Sequence, residues 1–203
     1  MSSMTEKVRW TLAGVLALAA PLATASVVSY SASLSGAAES PANGSPGTGS
    51  ATVLIDTVAH TMTVDVLFSG LLGTTTAAHI HCCTAVPTAG NAGVATQVPN
   101  FVGFPLGVTS GTYHSVFDLT LPGSWNAAFI TGNGGTTATA EAALLAGIDA
   151  ERAYLNIHTT SFTGGEIRGF LVRDVPEPAA LTLLGLGVVG LAAAGAGRRA
   201  RTA

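Results

Sequence analysis

Ala153-Tyr154-Leu155-Asn156-Ile157-His158-Thr159, the turn Ser161-Phe162-Thr163-Gly164-Gly165, and Glu166-Ile167-Arg168-Gly169-Phe170-Leu171-Val172 decide the fold. Two runs of β-forming residues around a Gly-containing connection read as an antiparallel hairpin. In the first run Leu155 and Ile157 share one face, which leaves His158 on the other. The same alternation recurs upstream. Ser29–Ser35 alternates through Tyr30, Ala32 and Leu34; Ala51–Thr57 and Met62–Phe68 form a pair across Val58-Ala59-His60-Thr61; Ala77–His81 and Thr112–Leu119 add two more strands. Glu39–Ser50 is turn material, and only Ala138–Ala146 reads as a helix, capped by Thr137 or Thr139 and ended by Gly147. The expected fold is all-β: an antiparallel Greek-key-like β-sandwich or small barrel with one short helix.

Cys82–Gly111 is thirty residues without clear periodicity. Val94–Val98 is a candidate short strand there, and Phe101, Phe104 and Leu106 are too apolar for a solvated loop, so they are expected to fold back over the sheet.

The composition excludes several classes. Only 9% of the 203 residues are charged, and 48% are hydrophobic. Between Ser26 and Asp174 nine acidic residues face three arginines, a net of −6, so there is no basic footprint for nucleic acid. Collagen, coiled-coil and repeat periods are absent.

Both ends read as addresses. Residues 1–25 have the layout of a secretory signal: Lys7 and Arg9, the apolar run Trp10–Leu22, and the A-x-A site Ala23-Thr24-Ala25. At the other end Ala179–Gly197 is 19 residues without a charge, about 28 Å as a helix, long enough for a transmembrane helix. Arg198, Arg199 and Arg201 supply a cytoplasmic basic stop. Pro176-Glu177-Pro178 stands just upstream, and two prolines around one carboxylate keep that stretch extended. A plain tail anchor needs the helix and the basic stop but not this tripeptide. The combination over 175–203 resembles the PEP-CTERM sorting signal of Gram-negative bacteria. That resemblance implies a transient inner-membrane anchor, an exosortase-type processing enzyme as partner, and delivery to the cell surface or an exopolysaccharide-rich matrix. The working domain is then 26–174.

Three histidines carry the strongest chemical signal. His79-Ile80-His81 puts two imidazoles on one strand face, and His158 stands on the polar face of its own strand. If the two strands lie close, the rings converge beneath the long loop as a copper or zinc site; otherwise they are ordinary histidines bonded to loop carbonyls. Cys82 and Cys83 follow directly, and their pair is compatible with a disulfide, an intermolecular bond or thiolate ligation. Glu166 and Arg168 share a strand face and read as a surface or partly buried ion pair. Neither His60 nor His114 has a partner readable from sequence. No activated-serine elbow or phosphate loop is present, and no catalytic residues are assigned.

Ala78-His79-Ile80-His81, Tyr154–Thr159 and Gly164-Gly165-Glu166-Ile167-Arg168-Gly169, together with the helix at 138–146 and Leu34-Ser35-Gly36-Ala37-Ala38-Glu39, resemble the chordin (CHRD) domain. The likeness covers about Ser29 to Val172. It departs at Cys82-Cys83-Thr84, where that family usually carries a Gly-Pro-like turn. There is a looser similarity to copper/zinc superoxide dismutase, which also carries His-x-His on a strand of a Greek-key barrel; its zinc ligands have no counterparts here. The resemblance implies an extracellular, mostly β module without an assigned activity. The expected function is therefore a non-enzymatic binding or structural module of the surface or matrix, associated with exopolysaccharide or envelope proteins. The alternative is a copper or zinc domain built on His79, His81 and His158.

Overall fold

The computed structural model describes residues 27–174. The signal reading over 1–25, the sorting tripeptide Pro176–Pro178, the apolar helix and Arg198, Arg199 and Arg201 lie outside them. Among the described residues no helix is long and apolar enough to cross a membrane.

In chain order the elements are β1 (Val27–Ser35), β2 (Thr48–Asp56), β3 (Thr61–Ser69), β4 (Thr75–Cys82), β5 (Gly111–Asp118), α1 (Ala127–Gly132), α2 (Thr137–Asp149), β6 (Ala153–Thr159), β7 (Ile167–Phe170) and β8 (Val172–Arg173). The strands form one antiparallel sheet in the order β4-β6-β7-β1-β2-β3-β5, with β8 paired to β1. The β3–β4 connection, residues 70–74, joins edge strand β4 to a strand near the opposite edge of this order, as in a Greek key. Edge strands β4 and β5 do not pair. Instead Thr75 N donates to Val108 O and Gly107 N to Thr75 O, which ties the start of β4 to the chain entering β5 and curls the sheet toward a half-barrel.

The alternating apolar residues line the concave side. Tyr30 and Leu34, Val53 and Ile55, Met62, Val64 and Phe68, Ala78 and Ile80, Leu155 and Ile157 are all at most 2% exposed. A buried Ile or Leu contributes roughly 1.5–3 kcal/mol each, so this face is the main source of stability. Gly169 lets β7 meet β1: a Cβ there would stand 2.3 Å from Ser33 O.

Helix α2 lays Ala140, Leu144 and Ile148 into the core. Its cap is Thr136, with Thr139 completing a capping box, and it continues through Gly147 to Asp149. Gly147 therefore does not end the helix. Its missing side chain makes room for sulfur, since a Cβ would lie 2.3 Å from Cys82 Sγ and 2.4 Å from Cys83 Sγ. The shorter α1, not foreseen from sequence, is capped by Asn126 and buries Phe129 beside Trp125.

Val94–Val98 is not a strand. It makes only isolated bridges, His81 with Val94 and Thr96 with Trp125. The segment nevertheless covers the free edge of β4: Cys82 N donates to Gly93 O, Ala95 N to Ile80 O and Phe101 N to Ala78 O. An edge covered in this way is closed to other chains. Phe101 and Phe104 are buried, and Phe101 packs 5.7 Å from Tyr113 and 5.4 Å from Phe117; Leu106 stays half-exposed.

Glu166 and Arg168 are not an ion pair, and neither is at the surface. Both are buried, and each has its own partners. Glu166 accepts from Ser45 Oγ (2.6 Å), Thr159 Oγ1 (2.6 Å), Leu72 N (2.5 Å) and Gly73 N (3.0 Å). Four donors satisfy both oxygens without a cation, and the carboxylate pins the β3–β4 crossing to the β6–β7 hairpin. Arg168 turns instead toward Glu39, 3.9 Å away.

Candidate metal centre

Strands β4, β6 and β7 present a second, convex face. The register sets His79 opposite Asn156 and Asn156 opposite Arg168, with His81 opposite Tyr154 and Tyr154 opposite Phe170. His158 faces Ala77. Since side chains alternate, Ala78, Ile80, Leu155 and Ile157 go to the core and the polar set goes outward, beneath the segment covering β4.

The three imidazoles meet there. Ring centroids are 5.6 Å apart for His79–His81, 5.3 Å for His79–His158 and 5.6 Å for His81–His158. Each ring has one nitrogen on a backbone carbonyl: His79 Nε2 to Pro99 O (2.6 Å), His81 Nδ1 to Ala92 O (2.9 Å) and His158 Nδ1 to Thr163 O (2.9 Å). A carbonyl only accepts, so those nitrogens carry the protons. The other three, His79 Nδ1, His81 Nε2 and His158 Nε2, are buried and have no partner. One potential ligand nitrogen from each ring lies within 4.8 Å of the others, so a point exists about 2.8 Å from all three. Metal–nitrogen bonds near 2.0–2.1 Å require the rings to close by less than about 1 Å.

Burial disfavours the protonated form of all three rings. Burial pushes His81 down to about 4, opposed by the bond to Ala92 and aided by the neighbouring histidines and Arg168. Burial likewise lowers His79 and His158, against their carbonyl bonds. Neutral rings whose second nitrogen is fixed by a carbonyl are the form in which imidazole binds a metal.

Around them stands a wall that the sequence did not reveal. Tyr154 stacks on His81 with ring centroids 4.9 Å apart and planes 5° apart. The Arg168 guanidinium lies 4.6 Å over the far face of Tyr154 and donates to Ala38 O, Gly90 O and Asn91 Oδ1. Ala92 N donates to Tyr154 Oη, so ring, tyrosine and covering segment are held as one unit. The parity that places His158 outward also places Tyr154 and Asn156 outward. That signal was available; the position of Arg168 over the ring was not.

A family model described as the CHRD domain matches residues 30–171, nearly the whole described body. The chain belongs to the CHRD domain family. A second model, the PEP-CTERM protein-sorting motif, matches residues 174–201 and marks the protein for export and sorting to the cell surface, with an exosortase as processing partner. No curated protein and no solved structure matches the chain.

Within the CHRD domain Cys82 and Cys83 are joined to each other at the end of β4, with Cys82 buried. They lie toward α2, and among the described residues the clustered candidate ligands are His79, His81 and His158 without a cysteine. The other two histidines are elsewhere: His60 Nδ1 lies 2.8 Å from Glu141 Oε2 and His114 Nδ1 lies 2.6 Å from Asp65 Oδ1.

Proposed function

We propose that this exported CHRD domain holds copper or zinc between His79, His81 and His158 while displayed at the cell surface. The observation that carries it is the convergence of three buried imidazole nitrogens without partners, each ring anchored through its other nitrogen. Buried polar atoms are almost always bonded, so three orphans facing one another call for an ion. Metal content of periplasmically produced protein tests the reading. The wild type should carry close to one equivalent of copper or zinc, and the His79→Ala/His158→Ala double variant very little. Equal, negligible metal in both would end it.

The sorting motif supports a wider role as a module of the surface or of an exopolysaccharide matrix, with envelope components as neighbours. Deletion of residues 175–203 should then change the distribution of the protein between surface and soluble fractions. An unchanged distribution would remove that role.

A further inference from the structure

Resting on that reading, we infer that the site is built for monovalent copper, Cu(I), held by three nitrogens and no fourth ligand. The donor set is the first reason. It consists of neutral imidazoles, and among the described residues no carboxylate or thiolate joins them. Glu39 has Oε2 directed to Arg168 at 3.9 Å rather than joining the imidazoles. A divalent ion would therefore enter without an anionic ligand to offset its charge.

The second reason is the fixed cation. Arg168 is 2% exposed and lies behind His81 through the Tyr154 ring, held there by three carbonyl-type oxygens. Its field, offset in part by Glu39 at 3.9 Å, opposes every positive charge placed at the site, and opposes two charges twice as strongly as one. The cost of removing an ion from water rises with the square of its charge, so it too weighs against the divalent state.

The third reason is closure. All three ligand nitrogens are buried, so a water or anion completing four-coordination would have to fit with the ion inside an enclosed space. Zinc sites are almost always tetrahedral, by a fourth protein ligand or a bound water. Three nitrogens alone are an acceptable shell for Cu(I). The Cys82–Cys83 disulfide adds a consequence: the soft sulfur donors stay out of the shell, so the imidazoles bind the ion unaided.

The test is competition on the metal-free exported protein under argon, with ascorbate as reductant so that the disulfide survives. Cu(I) is offered against bicinchoninate, and Zn(II) and Cu(II) against a fluorescent chelator. One Cu(I) should bind per chain, at least about 100-fold tighter than either divalent ion, two decades in Kd. X-ray absorption should show three nitrogen scatterers. Cys82→Ser/Cys83→Ser should bind Cu(I) as the wild type does. Arg168→Gln should narrow the Cu(I) preference by about tenfold, whereas Arg168→Lys, which keeps the charge, should not. If Arg168→Gln fails to fold, the wild-type ratio decides. Equal or tighter binding of Zn(II) or Cu(II), or a fourth oxygen or nitrogen scatterer, overturns the Cu(I) assignment and leaves the metal site standing. Binding of none of the three ions overturns both.

Discussion

Two buried glutamates show how far one residue type is set by its surroundings. Burial alone would raise Glu166, but Ser45, Thr159, Leu72 and Gly73 donate to it and hold its carboxyl below the ordinary range. Glu39, 9% exposed, has an oxygen with no partner, and burial pushes it up to about 7 against the pull of Arg168. Arg168 is the charged group that faces it, at 3.9 Å. For an acid with a raised folded-state value, the folded form binds more protons between the unfolded value and the folded one. Glu39 therefore costs stability progressively as pH rises from about 4.5 to about 7, and the loss persists above; the full span is roughly 3 kcal/mol. Glu39→Gln should remove that slope, leaving the variant more stable than wild type at pH 8 and no better near pH 4. Urea unfolding at several pH values measures it, and parallel profiles for the two proteins would refute it.

At the level of elements, α2 and the end of β4 are fitted to each other through a glycine. In an ordinary helix interior Gly→Ala gains about 1 kcal/mol. At position 147 the new methyl would meet both sulfurs of the Cys82–Cys83 pair, so Gly147→Ala should instead cost about 1–3 kcal/mol. In a Cys82→Ala/Cys83→Ala background the same change should become neutral or stabilising. Chemical denaturation of the four proteins checks the cycle, and a stabilising Gly147→Ala with the disulfide intact would sink the argument. The example also shows what could be read in advance. Alternation located β1 to β6 and the hairpin within a few residues, because the pleat puts hydrophobicity and burial in the same period. Face parity likewise put His79, His81 and His158 outward. The covering segment was not legible, since it bonds to β4 through backbone atoms that leave no mark in side-chain pattern. Sequence alone reads Gly147 as a helix stop because the sulfurs it accommodates come from far along the chain. Proximity in sequence pairs Arg168 with Glu166, whereas tertiary folding brings Glu39 to Arg168 and four donors to Glu166.

Across the whole molecule, both ends of the described chain leave from one place. Asp174 N donates to Ser29 O (2.9 Å), while its carboxylate accepts from Ser29 Oγ (2.5 Å) and Ser31 Oγ (2.7 Å). The CHRD match stops at residue 171 and the sorting motif starts at 174, yet the sheet runs on between them: Val172 pairs with Ser31 and Arg173 with Tyr30. Arg173 also lies 3.5 Å from Asp149 at the end of α2, which itself accepts from Tyr30 Oη. Among the described residues the sheet and its bonds thus run three residues past the family match, and residues 172–174 link β1 to α2. A chain of residues 27–174 should unfold in a single cooperative transition, because one core joins the sheet and α2. A chain of residues 27–171 should be less stable by about 1–3 kcal/mol, the scale of a few hydrogen bonds on a partly exposed edge. Most of that loss should reappear in full-length-body variants Ser29→Ala/Ser31→Ala, which remove only the two hydroxyl donors to Asp174. Denaturant midpoints of the three proteins decide the matter. Equal midpoints for the chains ending at 171 and 174 would mean that β8 is an ornament of the fold, and that the boundary belongs where the family match ends.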